Sequence, residues 1–317
     1  MPQRPRRQLS AALALLLFLA LPVRADEAVK VAVLGMPESP DLKGLSGLEV
    51  SEDGTHFVAI ADRGWFVTGR ILREKGGPVA LSVDLPAVSM SRDKGGSMRG
   101  HGHDAEGLAI APDGRIFVSF EDDHRIEARR LIRARAIRLP DLPDAPRLGG
   151  NSGIEALALG PDGALYALPE TLVEASGIPV YRYLLPASNT GPDGGPAGRY
   201  REAAWNRDLS LPARGPFHPV GADFGPDGRL YVLERAFVPP LAFRSRVRRF
   251  ALGPAGPTEE VILLETGIGR HGNLEGLSVW RDAAGAIRLT MVTDDNGMAL
   301  QRNELVEYRV VSAPGDG

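Results

Sequence analysis

The stretch Gly102 to Arg125, GHDAEGLAIAPDGRIFVSFEDDHR, decides the fold. It reads as a β-hairpin. Leu108 and Ile110 alternate with Gly107 and Ala109, Pro112-Asp113-Gly114 supplies the turn, and Ile116, Val118 and Phe120 alternate on the return. Proline fixes one φ and glycine accepts a positive one, so the chain reverses without steric cost. The unit recurs. Aligned on the turn glycine, GNSGIEALALGPDGALYALPET (Gly150 to Thr171) and HPVGADFGPDGRLYVLERAF (His218 to Phe237) are close copies. GLSGLEVSEDGTHFVAIADRG (Gly44 to Gly64) is looser, and NLEGLSVWRDAAGAIRLTMVTDDNG (Asn273 to Gly297) has two extra residues in its turn.

The turn glycines are Gly54, Gly114, Gly163, Gly228 and Gly285, at spacings of 60, 49, 65 and 57. Strand pairs repeated at about 40–50 residues indicate a β-propeller, in which four-stranded blades surround an axis. The expectation is an all-β chain forming one propeller. Five copies are visible, but six blades would average about 49 residues each against about 58 for five, so six are preferred and five are the alternative. The Gly-, Pro- and Asn-rich stretch from Thr171 to Pro216 is where a sixth, poorly conforming blade would lie. Val29 to Leu34 is a candidate outer strand that closes the ring at the end of the chain, where Leu305 to Val311 is a good final strand. After residue 25 no segment sustains a 3.6-residue apolar period.

Residues 1–25 read as a cleaved signal peptide: Arg4, Arg6 and Arg7, an apolar run from Ala11 to Leu21, then Val23-Arg24-Ala25 before Asp26. Residues 26–317 form the propeller domain. Cleavage removes four arginines and no acids, taking the formal charge from −3 to −7. No basic excess points to nucleic acid, and no second apolar segment points to membrane insertion. The chain has no cysteine, which excludes disulfides, thiolate nucleophiles and cysteine-held metals. The expected product is a periplasmic or secreted monomer.

Hairpin geometry turns the repeat into a site. Residues just before the first strand and just after the second lie at the same end of an antiparallel pair, and those positions are acidic. Glu106 is matched by Glu121 and Asp122, Glu155 by Glu170, and Glu275 by Asp294 and Asp295. The first copy offers Ser46 with Asp62 and the fourth Val220 with Glu234, so the ring is incomplete there. If the first strand is innermost, these carboxylates converge on one mouth of the channel and repel one another unless cations intervene. The candidate metal ligands are Asp62, Glu106, Glu121, Glu155, Glu170, Glu234, Glu275, Asp294 and Asp295, with Glu106, Glu155 and Glu275 also read as catalytic. Arg63, Arg125 and Arg235 follow the same strand ends and are candidates to grip an anionic substrate. A glycine-rich loop carries a further cluster, His101, His103 and Asp104, with the spacing of a metal site but no fourth ligand of known position, so incidental surface histidines are the preferred reading. Asp53, Asp113, Asp162 and Asp227 recur in the turns and are read as turn formers.

Taken in order, Leu45-Ser46-Gly47-Leu48, Ala61-Asp62-Arg63-Gly64, Asp104-Ala105-Glu106-Gly107, Ser152-Gly153-Ile154-Glu155-Ala156-Leu157, Leu233-Glu234-Arg235, Asn273-Leu274-Glu275-Gly276 and Thr293-Asp294-Asp295-Asn296 resemble the phytase-like domain family, labelled "esterase-like activity of phytase". The resemblance covers Leu45 to Val311. It implies an exported propeller that hydrolyses phosphate or other esters. β-Propeller phytases hold several calcium ions at one channel mouth and use a metal-activated water; only that topology carries over, because no residue-by-residue match to their motifs is present.

Calcium is the cofactor this reading expects, with a small anionic ester as substrate. Two alternatives stay open: a non-catalytic propeller binding a ligand or protein at the acidic mouth, and a lactonase-like hydrolase with one divalent ion held by carboxylate and Asn151, Asn273 or Asn296. Two other chemistries are excluded. Arg270-His271-Gly272-Asn273 begins like a histidine acid phosphatase signature but continues with Leu274 where arginine is required, and no G-x-S-x-G elbow is present.

Overall fold

A computed structural model of the chain describes residues 26–90, 104–121, 123–149, 153–171, 174, 177–186, 200, 203–240, 242–295, 301 and 303–312. The signal-peptide reading of residues 1–25, and His101, His103, Asp122, Asn151 and Asn296, lie outside these. Among the described residues no helix is long and apolar enough to cross a membrane.

The chain opens with β1 (Glu27–Gly35). Blade 1 follows as β2 (Leu45–Val50), β3 (His56–Ala61), β4 (Trp65–Glu74) and β5 (Gly77–Ser89). Blade 2 is β6 (Ala105–Ile110), β7 (Ile116–Phe120), β8 (Arg125–Arg129) and β9 (Ile137–Arg138). Blade 3 is β10 (Ile154–Leu159), β11 (Ala164–Pro169), β12 (Ile178–Leu184) and β13 (Trp205–Leu211). Blade 4 is β14 (His218–Phe224), β15 (Leu230–Val238), β16 (Ala242–Gly253) and β17 (Gly256–Glu265). Blade 5 takes β18 (Asn273–Arg281), β19 (Ile287–Asp294) and β20 (Glu304–Val311), and β1 adds its outermost strand by pairing antiparallel with β20.

The propeller therefore has five blades, correcting the preference for six. The described residues between Thr171 and Pro216 supply β12 and β13 to blade 3 and form no further sheet. The length that suggested a sixth blade goes into connecting segments and long outer strands, such as the 13 residues of β5 and the 12 of β16. The first strand of every repeat is innermost, for β2, β6, β10, β14 and β18 contact one another in sequence around the axis.

Five apolar clusters fill the five seams between blades. Phe117 and Ile126 of blade 2 meet Leu157 and Tyr181 of blade 3 in one, and Trp280 of blade 5 packs with Phe57 and Val67 of blade 1 in another. A sheet held between two neighbours buries both faces, so strands such as IFVSF (β7) are buried throughout instead of alternating. Arg129 of β8 follows the same logic, whereas Arg130, Arg133 and Arg135 beyond it are exposed. Arg129 is fully buried, pairs with Glu127 at 2.6 Å and lies over Phe66 of blade 1. Between blades 5 and 1, Arg73 grips buried Glu307 through two bonds of 3.0 and 2.6 Å.

The inner strands crowd the axis, and glycine lets them do so. A Cβ on Gly276 would lie 2.9 Å from the backbone nitrogen of Leu48, and one on Gly47 would lie 2.7 Å from Leu108 Cβ. We predict that Gly276→Ala costs about 1–3 kcal/mol through overpacking, whereas Gly35→Ala on β1, with open space around it, stays within about 0.5 kcal/mol. Urea denaturation of both variants checks this.

Candidate functional site

Each inner strand loses register with its partner once, near its start. The shifts fall between Leu45 and Leu48, Ala105 and Leu108, Ile154 and Ala156, Pro219 and Gly221, and Leu274 and Gly276. Such a bulge leaves a residue unpaired and re-aims its side chain. The residues within the five shifts include Ser46, Glu106, Glu155, Val220 and Glu275, so the three glutamates read as catalytic occupy equivalent bulges. Below them the channel narrows to about 10 Å³, lined by Leu48, Leu108, Leu157 and Leu277, with Glu106 and Glu155 reaching its upper edge.

A second tier comes from the ends of the second strands. Asp62 follows β3 with its carboxylate against the Cα of Gly44, a glycine whose φ of +70° already suits no other residue well. Glu121 follows β7 and packs over Gly153, Glu170 follows β11, and Asp294 ends β19 with Asp295 buried beside it. Asp104, immediately before β6, completes a triad. Ligand oxygens of Asp104, Glu106 and Glu121 all lie within 4.8 Å of one another.

The electrostatics follow from this crowding. Burial, then Glu155, Glu275 and Asp62, push the Glu106 carboxyl well above the usual range. Burial, Glu170 and Glu275 do the same to Glu155. Burial raises Asp62 to about 9 with help from Asp294, Glu275 and Asp104. Burial and the Asp104 charge bring Glu121 to about 7. Glu275 also rises to about 7, because burial and Asp294 outweigh Arg235 and Asn273. Arg235 is the cation among these acids. It bonds Asn273 Oδ1 at 2.7 Å, Glu170 at 2.8 Å and Glu275 Oε1, and although burial opposes its charge, Glu275, Glu170 and Glu155 hold it protonated. Asn273 Nδ2 donates to Glu275 Oε1 at 2.7 Å.

Residues 40–297 match the family described as "Phytase-like: Esterase-like activity of phytase". The chain belongs to that family. No match was found among curated protein sequences. Phytase-like membership is accompanied by a likeness of fold to solved propellers of low identity. An α-L-arabinofuranosidase from Podospora anserina, solved with cellotriose, is 10% identical with a TM-score of 0.53 over 91% of this chain and 97% of its own. The PQQ-bound aldose sugar dehydrogenase of Streptomyces coelicolor is 14% identical with a TM-score of 0.48, over 92% and 100%. A gluconolactonase from Xanthomonas campestris is 14% identical with a TM-score of 0.45, over 91% and 95%.

Within this mouth the structure brings together Asp62, Glu106, Glu121, Glu155, Glu170, Glu275, Asp294 and Arg235, with Asp295 buried next to Asp294, and it leaves Glu234, Arg125 and Arg63 outside that group. Glu234 is fully buried inside blade 4, with Oε2 accepting from Arg246 at 2.7 Å and from Arg248 at 2.8 Å. It pairs across the ladder with Pro219, the position held in other blades by Ala61, Phe120, Pro169 and Thr293, one residue short of the mouth. Because strand side chains alternate, that single step turns Glu234 away and Arg235 in. Arg125 is held by Glu127 at 2.8 Å and by Asp123, and it stacks on Phe120 at 3.7 Å. Arg63 is exposed in the turn beside Asp62.

Asp104, expected only with the histidines of the glycine-rich loop, and Asn273, expected as a ligand under the single-metal alternative, also enter the site. A finer count carried the Arg235 signal: Glu121, Glu170 and Arg235 each stand seven residues after their turn glycine. The turn aspartates behave as expected; Asp53, for instance, accepts from Ser51 and Thr55, which hold its carboxyl down at about 2. Removing Glu234 leaves two buried guanidinium groups without their shared partner. Glu234→Gln is expected to cost about 3 kcal/mol or more of stability while leaving calcium affinity unchanged, read by paired denaturation and calcium titration.

Proposed function

We propose that the acidic mouth binds a divalent cation, calcium by the character of its donors, and hydrolyses a small anionic ester, with phosphate esters as the first class. The observation that carries this reading is the triad of Asp104, Glu106 and Glu121, three carboxylates from the two ends of one hairpin with oxygens within 4.8 Å. Around it stand, among the described residues, further buried acids and Arg235, a charge balance that a divalent ion would relieve. Calcium takes six to eight hard oxygen ligands in irregular geometry, which carboxylates on several strand ends supply. A bound divalent cation lowers the pKa of water and offsets repulsion between an anionic ester and its attacking group.

The chain's own residues divide the remaining work. Asp104, Glu106 and Glu121 hold the ion, with Asp62 and Asp294 adjacent. Glu275 has Oε1 occupied by Arg235 and Asn273, which leaves Oε2 to take a proton, and its pKa of about 7 suits that exchange. Glu155, raised by burial and neighbouring acids, returns a proton to the leaving oxygen. Arg235 positions Glu275 and Glu170, and exposed Arg63 meets the anionic group of the substrate. The same reading includes export, a periplasmic or secreted location, a monomeric state and no nucleic-acid partner.

Calcium titration of the metal-stripped protein, with p-nitrophenyl phosphate and p-nitrophenyl acetate as paired substrates, tests it. Stabilisation with calcium-dependent turnover is expected; Glu106→Gln should weaken calcium binding at least tenfold and Glu275→Gln should lower kcat by about 10²–10⁴-fold. Calcium binding without turnover on either ester would favour the ligand-binding propeller, and one ion per chain would favour a single-metal hydrolase.

A pH dependence follows from the same acids. Their folded-state pKa values exceed the unfolded ones, so the folded chain binds more protons between the two values, and stability falls as pH rises. Without calcium, thermal stability should decline through about pH 7, where Glu121 and Glu275 ionise, and on towards about 9, where Asp62 does. Saturating calcium should flatten the decline in melting curves recorded across that range.

A further inference from the structure

A second cavity lies at the other end of the axis. It encloses about 760 Å³ and is walled by the far ends of the inner strands, through Glu49 of β2, Ile110 of β6, Leu159 of β10, Asp223 of β14 and Val279 of β18. The leucine constriction of about 10 Å³ separates it from the acidic mouth. Its volume falls within the range of small-ligand sites, about 300–1,000 Å³.

Its floor carries two carboxylates from opposite blades. Glu49 Oε1 accepts from the Ile110 amide at 3.1 Å, and Asp223 Oδ2 accepts from the Val279 amide at 2.6 Å. Each bond crosses to the next inner strand and occupies one oxygen. Neither acid forms an ion pair with a described lysine, arginine or histidine, in contrast to the buried glutamates Glu127, Glu234 and Glu307, each of which is held by arginine. Burial and the Asp223 charge push Glu49 well above the usual range, and burial raises Asp223 to about 7. The other charged groups of the lining, Glu52, His56 and Arg281, are exposed at the rim and of mixed sign.

These features select a class of ligand. An anion would meet two carboxylates at the floor. A bare divalent ion needs more oxygens than two acids with an apolar surround provide. A protonated amine donates hydrogen bonds to both acids at once, and the wall of Phe57, Val58 and Phe224 accommodates its hydrocarbon part. We propose that this cavity is a binding site for a primary alkylamine, with the ammonium group between Glu49 and Asp223 and the alkyl chain against the apolar wall. The site is distinct from the ester-hydrolysing mouth and does not depend on it.

The test is calorimetric titration of the full chain in saturating calcium with butylamine, methylamine, butanol and butyrate. One butylamine per chain is expected, bound at least tenfold tighter than neutral butanol and than methylamine, with no binding of butyrate. Glu49→Gln and Asp223→Asn should each weaken butylamine at least tenfold, while Glu106→Gln at the opposite mouth leaves it unchanged. The proposal is overturned if butylamine binds no tighter than butanol to the unaltered protein, a comparison that stands even where a variant fails to fold. Butylamine affinity unchanged in both carboxylate variants, or lost in Glu106→Gln, overturns it as well.

Discussion

Five inner strands must pass one axis at backbone contact, and the rest of the molecule is arranged by that requirement. At Gly276 there is no room for a Cβ between β18 and the backbone of β2, and Gly47 is pressed as closely against Leu108. The register shifts beside these positions come with the crowding: each inner strand gives up ladder pairing where it enters the ring. A residue freed from the ladder can be aimed along the axis, which places Glu106, Glu155 and Glu275 over the constriction. Farther along the same strands, the leucines close the channel and the ends open into a cavity. The two mouths are thus consequences of one packing problem solved along six or so residues of each strand.

Charge is handled in two ways. Inside the blades every buried glutamate among the described residues is neutralised locally. Glu234 lies between Arg246 and Arg248, Glu307 between Arg73 and Arg288, and Glu127 between Arg125 and Arg129. These pairs hold outer strands to one another and to the next blade, and removing one partner strands a charge in low dielectric. At the acidic mouth that rule is broken. Arg235 serves Glu170 and Glu275, while Asp62, Glu106, Glu121 and Glu155 form no ion pair with a described residue and are raised by burial and by the other acids of the mouth. Acids left without a cation partner in a fold that neutralises them elsewhere are the usual signature of a functional site. Glu49 and Asp223 at the opposite end break it again, on a smaller scale.

Much of the architecture was legible because its signals are local. Alternating apolar residues around Pro-Asp-Gly turns specify a hairpin whatever surrounds it, and five such hairpins are the inner pairs of five blades. The blade count went astray because average length per blade says nothing about how much chain an outer strand or a connection absorbs; β5 and β16 absorb a great deal. The acidic ring was legible in outline for the same reason as the hairpins, since the ends of an antiparallel pair coincide. Its fourth member was not. Glu234 and Arg235 are adjacent in the chain, and which of them faces the axis depends on ladder register, where one step exchanges the two faces.

By itself, then, the sequence determined what depends on neighbours along the chain: all-β character, hairpin positions, ring closure by β1, turn aspartates and an acidic end common to the repeats. Tertiary structure alone decided what depends on neighbours across it: five blades, the burial of Arg129 and Glu234, the approach of Asp104 to Glu106 and Glu121, and the cavity around Glu49 and Asp223. The physical reason is that periodicity and turn chemistry act over a few residues, whereas the surroundings of a charged side chain are built by strands from other blades, dozens to hundreds of residues away. Arg73 and Glu307 meet across the seam where the ring closes, and nothing near either residue in the chain announces the other.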